Sequence, residues 1–218
     1  MTDPDRSTRL ADMLARKADE TALQLTGEPS KADSELMEMA RKGDREAYGK
    51  LFEHRAAGIW QMAYLILHDA EAAEDAVQET FTAGLEHLAD FRGESEPRAW
   101  FCAIALNACR QRIRRRQIRE TLAETSALEA ARPHGPPKRG VLTSLLRHET
   151  SRRLAIALGF LTEPQREVFV LHYVEGLAFE EIARITTRKP GALRALAHRA
   201  RAVLREKLRE EETSLPRA

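Results

Sequence analysis

The sequence has few of the residues that sheet-rich proteins need for their turns and cores. Its 218 residues include only 11 Gly, 7 Phe, 3 Tyr and 2 Trp, whereas Ala, Leu, Arg and Glu dominate. These dominant residues favour helices, so the composition argues against an all-β fold. Hydrophobic residues make up 43% of the chain, which is enough to bury a core, and the length allows one or two domains.

Long apolar runs and cysteines are also scarce. No segment is apolar over the length that a membrane-spanning helix needs, and Met1–Ser30 lacks the apolar segment of a signal peptide. The two cysteines, Cys102 and Cys109, cannot form a disulfide framework, and we expect small buried residues rather than a redox pair. We therefore expect a soluble protein that works in the reducing cytoplasm without membrane insertion.

No catalytic or metal-binding pattern is found in the sequence. The seven histidines are scattered, and none is spaced as a zinc ligand with either cysteine. A glycine-rich phosphate loop and a Gly-x-Ser-x-Gly elbow are also missing. We therefore expect neither an enzyme nor a bound cofactor or metal ion. A nucleic-acid-processing enzyme is kept as an alternative, and it would require a metal or nucleophile cluster.

Hydrophobic periodicity predicts a first helical block over 34–119, after an N-terminal extension, 1–33, that we expect to be mobile. One helix is predicted over about 45–67 and the next over about 71–89. A short helix before them is expected to bury Leu36, Met39 and Ala40. The helix over 71–89 is expected to bury Ala73, Val77, Phe81, Leu85 and Leu88.

A Pro- and Gly-rich stretch follows the first block and cannot continue a helix. We therefore predict a flexible linker over 120–144. The second block, 145–212, opens with a helix that ends near Phe160, and the segment that follows has the spacing of a capping box. The predicted fold is all-α, with two helical domains joined by the linker.

Charged residues are segregated along the chain, although the net charge is only +1. Between Asp69 and Asp90 there are seven acidic residues and no Lys or Arg, which indicates an acidic helix face suited to a basic protein partner. Basic residues are concentrated in Arg110–Arg116 and again from Arg184 to Arg209, where nine of them accompany one acidic residue. For each face, a solvated surface without a partner is the alternative.

The second basic region has the form of a helix-turn-helix. Phe179–Ile185 predicts a short helix and Thr187–Pro190 a turn before the last helix. Arg194, near the start of that helix, is placed to reach base edges in a major groove, whereas Arg199 and Arg201 are placed to reach phosphates.

Trp100 and Phe101 open the other basic helix. Aromatic rings beside arginines suit single-stranded DNA, where bases stack on the rings and phosphates meet the guanidinium groups. We expect Phe101 in the core, whereas core packing and base stacking both stay open for Trp100.

Three motifs, in this order, resemble those of bacterial RNA polymerase sigma factors of the sigma-70 family, and of its compact extracytoplasmic-function group. The resemblance extends over 34–119 (region 2) and 145–209 (region 4). The motifs are Ala73–Phe81 for the helix that grips the polymerase clamp, Arg98–Asn107 for the helix that reads the −10 element, and Thr162–Phe169 with Glu175–Ala183 for region 4.

The resemblance implies a protein that binds core RNA polymerase and directs it to promoter DNA, with an anti-sigma factor as a further partner. It assigns polymerase binding to Glu74, Asp75, Gln78 and Glu79. It assigns the −10 element to Arg92, Trp100, Asn107, Arg110, Arg114 and Arg115. It assigns the −35 element to Arg188, Lys189, Arg194, His198, Arg199 and Arg201.

The second block departs from the family pattern in its turn and its last helix. Thr187 lies where the family usually has glycine, and it lacks the ease of glycine at positive φ. Ala192, Ala195 and Leu196 replace hydroxyl and cationic side chains. Either the promoter differs, or this block supplies mainly phosphate and protein contacts. A stand-alone helix-turn-helix regulator is the second functional class, and it explains 162–209 but not the first block.

Overall fold

A computed structural model describes residues 31–125 and 149–214, and predictions that fall on the other residues lie outside the described part of the chain. The helices within these ranges form two compact units, which are described separately below. Neither range contains a β-strand, so the prediction of an all-α fold is confirmed for the described residues.

Within residues 31–125, the first unit contains four α-helices and one 3₁₀ turn. They are α1 (Lys31–Arg41), α2 (Arg45–Leu67), α3 (Ala70–Glu86), the 3₁₀ turn Leu88–Asp90 and α4 (Pro97–Thr125). The bounds of α2 agree with the predicted helix over 45–67, and local chemistry explains both ends. The carboxylate of Asp44 caps the start of α2 by accepting from two backbone N–H groups, and His68 ends the helix with φ of 55°. Asp69 then caps α3 through the backbone N–H of Ala72.

The core of the first unit lies along α2, which packs against α1, α3 and α4. Leu51, Met62 and Leu65 of α2 are completely buried, and Phe101 of α4 is buried beside them, as predicted. The fully buried residues of α4 also include Cys109, and both cysteines are thiols buried within the core. The expectation of small buried cysteines is therefore confirmed.

The prediction that α3 buries Phe81 and Leu85 is wrong. Phe81 is 37% exposed and Leu85 is 40% exposed, whereas Thr80 and Gly84 face the core. Each residue advances about 100° around a helix, so four-residue steps from Ala73 drift by about 40° each and leave the buried face. Similarly, Met39 of α1 is 48% exposed, and Met37 is buried in its place.

Two helix ends differ from the predicted block boundaries. The first helix begins at Lys31, inside the predicted extension, and the buried carboxylate of Asp33 in its first turn pairs with Arg55 of α2. At the other end, α4 continues to Thr125, beyond the predicted start of the linker. No Gly or Pro interrupts 117–125, so the sequence offers no reason for the helix to end at Arg119.

The second unit contains the helices α5 (Glu149–Leu158), α6 (Glu163–Phe169), α7 (Phe179–Thr186) and α8 (Pro190–Ser214), with a π-helical turn at Val170–Val174. The predicted capping box is present, since the side chain of Gln165 accepts from the backbone N–H of Thr162. The residues that hold α7 against α8 are buried as expected, including Ile182 and Leu193. The two helices and the turn between them form the predicted helix-turn-helix.

Candidate polymerase and nucleic-acid interfaces

The acidic face of α3 consists of Glu71, Glu74, Asp75, Gln78 and Glu79. Asp69 caps the N-terminus of α3. Buried residues such as Ala76 lie on the opposite side of the helix, so the acidic residues point outward. All five lie at three- and four-residue spacing on one surface of the helix. Asp75 and Gln78 are exposed, and Glu74 and Glu79 are partly exposed.

Arg112 of α4 forms ion pairs with one edge of this acidic face. The Arg112 guanidinium donates to the Glu79 carboxylate at 2.6 Å and to the Asp75 carboxylate at 3.0 Å. The Arg112 side chain is only 19% exposed, so these ion pairs tie α3 to α4. This link is not visible in the sequence pattern, because 33 and 37 residues separate the partners. Of the predicted polymerase contacts, Arg112 therefore binds Asp75 and Glu79 and leaves Glu74 and Gln78.

Two apolar residues that sequence reasoning placed in the core extend the same surface. Leu85 follows Gln78 by two turns, and the ring of Phe81 lies beside it at the border with α2. Tyr48 fixes this border, since its hydroxyl donates to the Phe81 carbonyl at 2.7 Å and burial raises its pKa. The exposed surface of α3 is therefore both acidic and apolar.

The predicted −10 residues of α4 share one surface of the helix. Trp100, Asn107, Arg110 and Arg114 follow one another at steps of seven, three and four residues, which keep them on one face. Asn107 and Arg114 are exposed, and Arg110 is partly exposed. Arg115 points elsewhere, since its guanidinium lies 4.0 Å from the Glu79 carboxylate. Arg92 is exposed in the loop before α4.

Trp100 is partly exposed, and the rest of its side chain packs against neighbouring aromatic rings. Its ring packs edge-on against Phe91, with centroids 5.6 Å apart, and against Phe101, with centroids 5.0 Å apart. These contacts fix the orientation of the indole, and the remaining surface is exposed.

The turn of the helix-turn-helix is held in a conformation that is unusual for its sequence. Thr187 has φ of 56°, where β-branched residues are rare. Its hydroxyl donates to the Thr186 carbonyl at 2.7 Å. The turn places the partly exposed Arg188 and the exposed Lys189 directly before α8.

Arg194 at the start of α8 is positioned by α7. Its guanidinium lies 2.7 Å from the Glu180 carboxylate and 5.5 Å from the centroid of the Phe179 ring. Phe179 in turn stacks on His172, with centroids 4.1 Å apart. The Arg194 side chain is still more than half exposed, so its orientation is restricted while its outer surface stays open.

The outward surface of α8 combines small and cationic residues. Ala192 and Ala195 are exposed, as are His198 and Arg199, while Arg201 is partly exposed. Sequence reasoning missed Arg205, which follows Arg194 by three turns on the same face. The three- and four-residue spacing of the cations along α8 is the sequence pattern that points to Arg205.

Neither a metal-binding cluster nor a membrane-spanning helix is found in the described part of the chain. No group of three or more His, Cys, Asp or Glu side chains within 31–125 and 149–214 is arranged to hold a metal ion. None of the helices in those ranges combines the length and apolar character that a membrane crossing requires.

Two family models match the chain, one in each unit. Sigma-70 region 2 matches residues 51–119, and Sigma-70 region 4 matches residues 152–204. The RNA polymerase sigma factor CarQ of Myxococcus xanthus is 34% identical over 83% of this chain and 100% of its own length. The ECF RNA polymerase sigma factor BldN of Streptomyces coelicolor is 28% identical over 76% of this chain, and the match spans 62% of BldN, less than two thirds.

Solved structures show the same similarity. CnrH, solved in complex with the cytosolic domain of CnrY, has a TM-score of 0.61 and 27% identity, over 83% of this chain and 99% of that one. RpoE of Bartonella quintana, solved with the anti-sigma factor NepR, has a TM-score of 0.56 and 25% identity, over 71% of this chain and 91% of that one. The chain therefore belongs to the sigma-70 family of RNA polymerase sigma factors, in its extracytoplasmic-function group.

Proposed function

We propose that this sigma factor directs promoter-specific initiation by docking on core RNA polymerase through α3 and by contacting promoter DNA through α4 and α8. The observation that carries the proposal is the separation of charge: the acidic surface lies on α3, whereas most of the arginines assigned to DNA lie on α4 and α8. An acidic surface repels DNA phosphates, and a basic one attracts them. The two kinds of surface therefore suit two different partners.

On α3, the docking surface consists of Glu74, Gln78 and the apolar pair Phe81 and Leu85. Charged residues steer a basic partner toward the surface, and the buried apolar contacts then supply most of the affinity. Asp75 belongs to the rim of this surface, because Arg112 already neutralises part of its charge. Glu79 is mainly a structural partner of Arg112.

At the −10 element, the surface formed by Trp100, Asn107, Arg110 and Arg114 faces the DNA. Opening the duplex requires unstacking of bases at a cost of a few kcal/mol, about the size of one or two good contacts. The exposed part of Trp100 offers a stacking surface for an unpaired base, and Arg114 offers a phosphate contact. Arg92 approaches the same element from the preceding loop. These contacts shift the duplex toward the open state.

At the −35 element, α8 supplies mainly contacts to the phosphate backbone. Ala192 and Ala195 present only methyl groups on its outward surface, so few hydrogen bonds to base edges are available there. Arg194 is the residue placed for base reading, since Glu180 and Phe179 hold its guanidinium. The remaining cations, which are Arg188, Lys189, His198, Arg199 and Arg201, are placed to contact phosphates.

The proposal includes an anti-sigma factor, because RpoE was solved with one and CnrH with the cytosolic domain of CnrY. It includes no catalysis by the chain itself, which makes no bond and lends its contacts to the polymerase. The cytoplasm is the compartment in which these partners meet. A stand-alone helix-turn-helix regulator would need only the second unit, and the matched region 2 of the first unit argues against it.

The DNA contacts are tested by run-off transcription with core polymerase on promoters that carry or lack the −35 sequence. Arg194→Ala should reduce the advantage of the intact −35 sequence, because the variant lacks the one base-reading group. Arg199→Ala should weaken transcription equally from both templates and lower its salt dependence, as expected for a phosphate contact. Equal effects of the two variants on both templates would contradict base reading by Arg194.

A further inference from the structure

Glu180 introduces a negative charge into the basic surface of the second unit. It lies in the first turn of α7, its side chain is 62% exposed, and its Oε1 atom lies 2.7 Å from the guanidinium of Arg194. The residues proposed above for the −35 element are all basic, and a carboxylate among them weakens the attraction to DNA phosphates. Glu180 therefore does not serve DNA affinity, and its pairing with the arginine proposed for base reading points to a role in selectivity.

The start of α7 holds the Glu180 carboxylate in place. The neighbouring Glu181 accepts from the backbone N–H of Ala178 at 2.8 Å, which caps this helix. Ile182 is completely buried and, together with Leu193, holds α7 against α8. A carboxylate in the first turn also interacts favourably with the helix dipole. The charge of Glu180 therefore lies on a rigid element beside the start of α8.

The Arg194 guanidinium has a second neighbour in the Phe179 ring, whose centroid lies 5.5 Å from its central carbon. The ring is held in turn, because it stacks on His172 and the Nδ1 of His172 lies 2.9 Å from the Leu177 carbonyl. A guanidinium has five N–H donors, so its bond to Glu180 leaves others for DNA. Arg194 is thus oriented on two sides and keeps donors that point outward from a side chain that is 57% exposed.

The pairing changes which acceptors on DNA the guanidinium favours. Every phosphate is a charged acceptor that attracts cations irrespective of sequence, whereas N7 and O6 of guanine are neutral acceptors. The Glu180 carboxylate offsets the charge of the guanidinium and repels an approaching phosphate, so a phosphate contact loses much of its Coulomb attraction. Hydrogen bonds to guanine depend on the remaining N–H groups more than on net charge, so they lose less. An exposed ion pair is also weak, so it does not keep Arg194 from a base.

We propose that Glu180 is a specificity-determining residue for the −35 element, because it disfavours phosphate contacts by Arg194 and leaves this arginine for the edge of a guanine. The inference rests on the proposed function, in which Arg194 reads a base. Glu180 acts through Arg194 and is a positioning residue rather than a base contact. Since Ala192 and Ala195 present only methyl groups beside Arg194, discrimination by α8 depends strongly on this one pair.

The test uses the full chain assembled with core RNA polymerase and labelled promoter duplexes that carry or lack the −35 sequence. Glu180→Gln should raise the affinity for the duplex that lacks the −35 sequence about threefold and should change the affinity for the intact duplex much less. The ratio of the two affinities should therefore fall about threefold. The salt dependence of binding to the duplex that lacks the −35 sequence should also steepen by about one counterion, because Arg194 gains a phosphate contact.

Glu206→Gln is the matched control. It removes the same charge from an exposed residue of α8, about 18 Å further along the helix, and it should leave the affinity ratio unchanged. A second control asks whether Glu180 acts through its partner. In the Arg194→Ala chain, Glu180→Gln should change the affinity for either duplex no more than Glu206→Gln does.

Two results would overturn the role of Glu180 while base reading by Arg194 stands. One is an unchanged affinity ratio in the Glu180→Gln chain when Arg194→Ala lowers that ratio. The other is a full effect of Glu180→Gln in the Arg194→Ala chain, since the carboxylate would then act on DNA directly. An unchanged ratio in the Arg194→Ala chain itself would instead contradict the proposed function of Arg194, and the inference with it.

Discussion

The guanidinium of Arg112 lies 2.6 Å from the carboxylate of Glu79, and this ion pair joins the helix of the docking surface to the helix of the −10 surface. Because Asp75 accepts a second hydrogen bond from the same guanidinium, Arg112 holds two neighbouring carboxylates of α3 together. Without it, those carboxylates would repel one another at four-residue spacing.

We expect Arg112→Met to destabilise the first unit by about 1–2 kcal/mol, after allowance for the partial exposure of both carboxylates. Both tryptophans, Trp60 and Trp100, lie in this unit, so urea unfolding followed by tryptophan fluorescence measures its stability. Arg114→Met, at an exposed position of the same helix, is the matched control. Equal stability of the two variants would show that the ion pairs contribute nothing.

Gly84 and Tyr48 are expected to be energetically coupled. A methyl group at Gly84 would collide with the Tyr48 hydroxyl and would lie 3.3 Å from the Phe101 ring. Gly84→Ala should therefore lower the free energy of unfolding by about 1–3 kcal/mol, although alanine favours helices more than glycine does. The Tyr48→Phe variant lacks the hydroxyl that collides with the methyl group. In that variant, Gly84→Ala should lower the free energy of unfolding by less. A double-mutant cycle by urea unfolding checks this coupling, and additive effects would contradict it.

The apolar part of the docking surface predicts a loss of polymerase affinity without a loss of stability. Leu85→Ala should weaken binding to core RNA polymerase by about 1 kcal/mol or more, because Leu85 is exposed in the free chain and buried by the partner. Met39→Ala is the matched control, since Met39 is an equally exposed residue of the same unit. Affinity is measured by titration of labelled chain with core enzyme. Equal affinities of the two variants would exclude Leu85 from the docking surface.

Relief of backbone strain at Thr187 should stabilise the second unit. Glycine adopts the φ of 56° at this position more easily than threonine does, and the gain is expected to be about 1 kcal/mol. Hydrogen exchange of peptides from 179–200 measures the effect. Thr82→Gly, in the interior of α3, should instead destabilise the first unit. Faster exchange in the Thr187→Gly chain would show that the threonine hydroxyl outweighs the strain.

The sequence predicted the elements that depend on local chemistry. The bounds of α2 follow from the Asp44 cap and the break at His68, and the capping box of α6 follows from Thr162 and Gln165. The burial of Ile182 and Leu193 follows from the spacing of the helix-turn-helix. In each case the residues that determine the feature are close in sequence.

Features that depend on distant neighbours were missed. Phe81 and Leu85 have the spacing of a buried stripe, but the helices that pack on α3 cover the side of Thr80 and Gly84 instead. The ion pairs of Arg112 and of Asp33 likewise join different helices. Hydrophobic spacing alone cannot show which side of a helix its partners will cover, nor which distant charges will meet.

The most direct test of the account is promoter-specific run-off transcription with core RNA polymerase and the double variant Glu74→Arg/Gln78→Arg. Both positions lie on the docking surface, and the carboxylates that pair with Arg112 are instead those of Asp75 and Glu79. The matched control is Glu35→Arg/Met39→Arg, a pair with the same spacing on the exposed side of α1. We predict specific transcripts from the wild-type and control chains and none from the double variant. Equal transcription from all three chains would contradict the assignment of α3 to the polymerase.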